Sequence, residues 1–141
     1  MSADYKQLTQ FHDQIDKLNN EQLEQFLESC CKELAARLLA KVIKRTPSDT
    51  GVLRRGWTAG KSASAFANNL EIVKVGSKYN IYITNPVEYA SYVEYGHRTR
   101  NHKGWVLGKF MLTISENELH NVSDAILQKK LNKFIKEVFE L

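Results

Sequence analysis

The densest run of side chains able to do chemistry is Glu94, His97, Arg98, Arg100 and His102. A histidine base beside arginines that hold a phosphodiester is the constellation of a nuclease. A metal-dependent nuclease needs several carboxylates, however, and this stretch offers Glu88 and Glu94 alone. The chain contains no nucleophile elbow, phosphate-binding loop, dinucleotide fingerprint or HExxH motif. His97 and His102 therefore read as loop residues at an interface, and no enzyme activity, catalytic residue, cofactor or metal is expected. The two cysteines, Cys30 and Cys31, are adjacent. Neighbours on a helix point about 100° apart, which rules out an ordinary disulfide between them and makes them two small apolar residues.

Two further groups suit binding rather than catalysis. Arg54-Arg55 beside Trp57 is a phosphate-gripping and base-stacking set, or else a strand with arginines on its wet face and the tryptophan in the core. Tyr89, Tyr92 and Tyr95 suit a surface half buried against a partner. Core packing explains Tyr89 and Tyr92 equally well, whereas Tyr95 is one position off their helical face. Charge divides unevenly along the chain. Residues 1–45 carry seven Lys/Arg and seven Asp/Glu, residues 46–110 nine and four, and residues 111–141 four and five. The net +4 thus sits in the middle, where a basic patch meets nucleic acid or an acidic protein surface.

These residues are positioned by a chain of 141 residues, 43% hydrophobic, enough for one globular domain and too apolar for disorder. No run approaches the roughly 18 apolar residues of a membrane-spanning helix. The first residues lack the basic and apolar regions of a secretory signal, so retention in the cytoplasm is expected. Leu23, Phe26, Leu27, Cys30, Leu34, Leu38 and Val42 follow helical spacing, widened by Cys31, Ala35, Leu39 and Ile43. They predict a helix over 21–45 capped by Asn20, after a short, mobile amphipathic helix within 1–19. Pro47 ends it. Val52–Thr58 reads as a strand and 59–69 as an exposed loop. Leu70–Val75 and Tyr79–Thr84 read as a hairpin around Gly76-Ser77. A short helix precedes Gly96, and a basic loop follows at 97–104. Apolar periodicity resumes over Trp105–Leu119, and a final helix covers about 122–140. The order predicts an α+β fold: a long N-terminal helix packed on a small antiparallel sheet, with C-terminal helices.

Three blocks in order then stand out: Arg45-Thr46-Pro47-Ser48-Asp49-Thr50-Gly51-Val52-Leu53-Arg54-Arg55-Gly56-Trp57, Asn85 to Arg98 (NPVEYASYVEYGHR), and Gly104 to Leu112 (GWVLGKFML). Together they resemble the tail-component family of long-tailed double-stranded DNA phages, also found in defective prophages and phage-tail-like bacteriocins. The resemblance departs from the family at Ser48, where valine is frequent. It implies a single tail-completion domain over 1–141, in a neck protein that joins the head connector to the tail as a ring around the DNA channel. The implied ring is hexameric, with the tail terminator, tail tube and head-closure protein as partners and possible nonspecific contact with packaged DNA. It implies residence in the bacterial host cytoplasm during assembly and then in the virion, with no membrane and no catalytic residue.

A head-to-tail ring needs two complementary patches per subunit. The tyrosine–basic region and the acidic, amphipathic termini are the candidates, and charge reversal at Arg98 and Arg100 is expected to abolish joining. The interface set is Arg54, Arg55, Trp57, Tyr92, Tyr95, His97, Arg98, Arg100, His102 and Lys103. The loops 59–69 and 97–104 are expected to order on meeting a partner. The alternative reading is a nucleic-acid-binding module using the basic 54–55 and 97–109 regions.

Overall fold

The computed structural model describes residues 20–48 and 51–139. The short helix expected within 1–19 and the cap expected of the Asn20 side chain lie outside the described residues. The first helix, α1, runs Asn20–Arg45 and stops before Thr46-Pro47, where proline excludes the helical conformation. The last helix, α5, runs unbroken over Met111–Phe139. The sequence splits this stretch near residue 120, yet it holds no glycine or proline between 111 and 139, so nothing interrupts the hydrogen-bond ladder. At 1.5 Å per residue the two helices are about 39 and 43 Å long.

They lie antiparallel along one another. Phe26 stacks on Phe134 with ring centroids 4.3 Å apart, Lys130 bonds Glu33 at 2.8 Å, and Glu118 is shared by Lys41 at 3.3 Å and Arg45. Lys130 and Arg37 together hold the Glu33 carboxyl below its ordinary value, the Lys130 hydrogen bond dominating. The cysteines are unbonded: Cys30 is buried, and Cys31 turns its thiol toward the Tyr79 carbonyl. Burial pushes both thiols up, which disfavours the thiolate form.

Between the long helices the chain differs from expectation in three places. Residues Val52–Gly56 form a helical turn, α2, not a strand. Leu53 and Trp57 are four apart, a spacing that shares a face in either structure, so the sequence pattern does not separate the two. Gly51 at φ 73° opens the turn, a backbone that favours glycine. Within the expected loop, Ala63–Asn68 is a short helix, α3, capped by the Ser62 hydroxyl, which accepts the Ala65 N–H at 3.2 Å. Its alanines have no bulk to hold it off α1, and Ala67 is fully buried there. Third, the basic loop is the tip of a hairpin. β3 (Gly96–Arg98) pairs antiparallel with β4 (Trp105–Leu107), Gly96 opposite Leu107 and Arg98 opposite Trp105.

The expected hairpin is present but shorter, with β1 at Ile72–Val75 and β2 at Lys78–Ile81, Ile72 facing Ile81. The short helix before Gly96 is α4, Ala90–Tyr95. The fold is α+β, with two two-stranded antiparallel sheets against a helical frame. One core joins Ala35, Leu39 and Val42 of α1 to Leu53, Trp57, Ala67 and Met111, with Ile81, Ile83, Val87 and Val93 packed against it.

Candidate interaction surface

Residues from all three sequence blocks hold the frame. Thr46 is buried at the end of α1, where its hydroxyl donates to the Val42 carbonyl at 2.6 Å and accepts the Trp57 indole N–H at 2.9 Å. Arg54 donates its Nε to the Thr46 carbonyl at 2.7 Å. Asn85 donates to the Leu53 carbonyl at 2.8 Å and accepts the Val87 N–H at 3.1 Å. The first block is thereby stitched to the second. Trp57, placed in the interface set by its type, is 4% exposed and belongs to the core. Arg54 is half-buried and committed to the fold, while Arg55 stays exposed.

The second block is stitched to the third in the same manner. Glu94 is only 7% exposed, and its carboxylate accepts the backbone N–H groups of Leu112 and Thr113, both at 2.9 Å, and the Thr113 hydroxyl at 2.8 Å. It therefore caps the first turn of α5 from another element, where amide hydrogens are otherwise unpartnered and the helix dipole favours an anion. This use takes Glu94 out of the suspected nuclease constellation. Lys109 and Phe110 donate their N–H groups to the carbonyls of Val93 (2.7 Å) and Glu94 (3.0 Å). Backbones approach so closely only because Gly96 and Gly108 face each other. A Cβ on Gly108 would strike the Glu94 carbonyl and lie 2.6 Å from the carbonyl carbon of Tyr95.

This latch aims the β3–β4 hairpin away from the core. Strand geometry puts Gly96, Arg98, Trp105 and Leu107 on one face and His97 and Val106 on the other. Tyr92 lies beside His97, ring centroids 5.8 Å apart, and Tyr95 meets the edge of Phe110 at 6.5 Å. The apolar groups here are open to solvent: Leu107 is 80% exposed, Tyr95 64% and Trp105 57%, with Tyr89, Tyr92, Val106, Phe110 and Ile114 also exposed. A two-stranded ribbon has little stability in water without cover on one face, and large contiguous apolar patches mark interaction sites.

The tip, Arg98 to Gly104, is of another character. Thr99 N–H bonds the Gly104 carbonyl at 2.9 Å and His102 N–H the Thr99 carbonyl at 2.9 Å. The Asn101 side-chain oxygen Oδ1 accepts the Thr99 hydroxyl at 2.7 Å and the Lys103 N–H at 3.0 Å. The turn is thus closed by its own groups, with Arg98, Arg100, His102 and Lys103 all exposed. Of the interface set, the structure brings Tyr92, Tyr95, His97, Arg98, Arg100, His102 and Lys103 onto this one projection. The sequence reading missed Trp105, Leu107, Phe110 and Ile114. The signal was an apolar run directly after Lys103-Gly104, which is a hairpin signature. Among the described residues no cluster of His, Cys, Asp or Glu could hold a metal, and no helix is long and apolar enough to cross a membrane.

Comparison with known families gives a match over residues 9–96 to the HK97-gp10-like model, described as "Bacteriophage HK97-gp10, putative tail-component". The matched stretch takes in α1 to α4, the first block and the second as far as Gly96, where the hairpin begins. No curated protein and no solved structure gives a significant match.

Proposed function

The chain belongs to the HK97-gp10-like family of bacteriophage tail components, and on that premise we propose that it is a neck protein completing the tail. In this reading it joins the head connector to the tail as a ring, hexameric by its resemblance, around the DNA channel. Its partners are the tail terminator, the tail tube and the head-closure protein. It works in the bacterial host cytoplasm and then in the virion. The observation that carries the reading is the uncovered apolar surface of α4, the hairpin base and the start of α5, centred on Leu107. A side chain 80% exposed in the free chain gains about 1.5–3 kcal/mol when a partner buries it. The regions flanking it on the tip supply charge that steers docking. The nucleic-acid module, as a reading of the whole protein, loses Arg54 to the Thr46 carbonyl.

The test is mass in solution by light scattering, alone and after mixing with purified tail-tube, tail-terminator or head-closure subunits. Wild-type chain is expected to shift to a ring-sized complex. Leu107→Asp should weaken that shift roughly 10- to 100-fold, while Val75→Asp, on the exposed β1 strand, should leave it intact. Normal assembly by Leu107→Asp would refute the assignment of this surface.

A further inference from the structure

The hairpin tip separates itself from its apolar base by composition and by electrostatics. Arg98, Thr99, Arg100, Asn101, His102, Lys103 and Gly104 include no apolar side chain, and three of the seven are permanent cations. No carboxylate is near in sequence: between Tyr89 and Ser115 the only one is Glu94, which is buried and spent on capping α5. Elsewhere, Arg37, Lys41, Arg45 and Lys130 of the long helices and Lys74 of β1 are each paired to a glutamate. Among the described residues Arg98, Arg100 and Lys103 have no such pair. The turn that carries them is already closed by Thr99 and Asn101, so the cations project from a preorganised loop and bind without first ordering it.

We infer that this tip is a contact for the phosphate backbone of duplex DNA. A protein surface is the poorer fit, because protein interfaces centre on buried aromatic or aliphatic anchors and the tip has none. Unstacked single strands fit less well too, since they are gripped by aromatic platforms, and Trp105 belongs to the base. Phosphates of a duplex need only spaced, exposed cations, and such contacts carry no sequence information. The inference stands on the tip alone and does not depend on the joining role of the base.

The experiment is an amide-resolved NMR titration of the full chain with a random-sequence duplex. Shift changes are expected to centre on Arg98 to Gly104. Neutralising three phosphates makes log K fall with log salt at a slope of about −2.7. Arg100→Glu/Lys103→Glu should lower affinity more than tenfold and bring the slope to about −1 or less, since at most one contact remains. Leu107→Asp should change neither, which separates this inference from the joining role. Shift changes centred on Lys129 to Lys136, absence of saturable binding at low salt, or equal competition by polyglutamate would each overturn it. The last outcome would assign the tip to an acidic protein.

Discussion

Glu94 offers the sharpest test of how the fold holds its exposed hairpin. Glu94→Ala removes an acceptor from two backbone N–H groups and one hydroxyl at the start of α5. Loss of a side-chain cap costs about 1 kcal/mol and each buried donor left without an acceptor about 1–3 kcal/mol. Water reaches part of the space once the side chain is gone, so a total of about 2–4 kcal/mol is expected. Glu94→Gln keeps the shape and one carbonyl acceptor. It loses the charge that the helix N-terminus favours and turns an amide NH2 toward donors, costing about 1–2 kcal/mol. With an unfolding entropy of roughly 2.1 cal/mol/K per residue, 1 kcal/mol corresponds to about 3 °C in a chain of 141 residues. Thermal unfolding by circular dichroism should therefore place Glu94→Ala about 7–13 °C below wild type and Glu94→Gln about 3–7 °C below. The exposed Glu88→Ala should be unchanged. Hydrogen exchange adds a local readout, with Leu112 and Thr113 amides losing protection first in both Glu94 variants. An alanine variant within a degree of wild type, or a glutamine variant as damaged as alanine, would refute the capping argument.

Further outcomes follow from the same frame. Thr46→Val leaves the Trp57 indole N–H without an acceptor in the core and should cost about 1–3 kcal/mol. Combined with Trp57→Phe, the double variant should cost less than the sum by at least 0.5 kcal/mol, roughly; additive urea-unfolding energies would count against the bond. Acid should loosen the α1–α5 contact through Glu33, whose folded carboxyl lies below its ordinary value of 4.5. A depressed folded value means stability present above pH 4.5 and lost as pH falls through the folded value. Because the pair is about a third exposed, Glu33→Gln should cost at most about 1 kcal/mol near neutrality and nothing in strong acid. An equal cost at both would rule out the ion pair as its source.

The reach of the sequence differs from one element to the next. Helix α1 was legible from Leu23 to Val42 because a 3.6-residue period over some twenty positions has no competing explanation. Its end was legible too, since Pro47 forbids continuation whatever surrounds it. The hairpin at Gly76 follows from turn chemistry that is equally local. Val52–Gly56 and Ala63–Asn68 were not legible. Each is little more than a turn of helix, too short for periodicity to speak, and the first is held by Thr46, Arg54 and Asn85 reaching across the chain. The family blocks were visible as residues, but their purpose was not: Trp57, Glu94 and Gly108 look like site residues or turn residues until their partners are known. Local pattern sets what a segment can form, because it is written in neighbouring side chains. Which groups remain at the surface, cations without carboxylates and Leu107 without cover, depends on partners distant in sequence, and only the tertiary structure decides that.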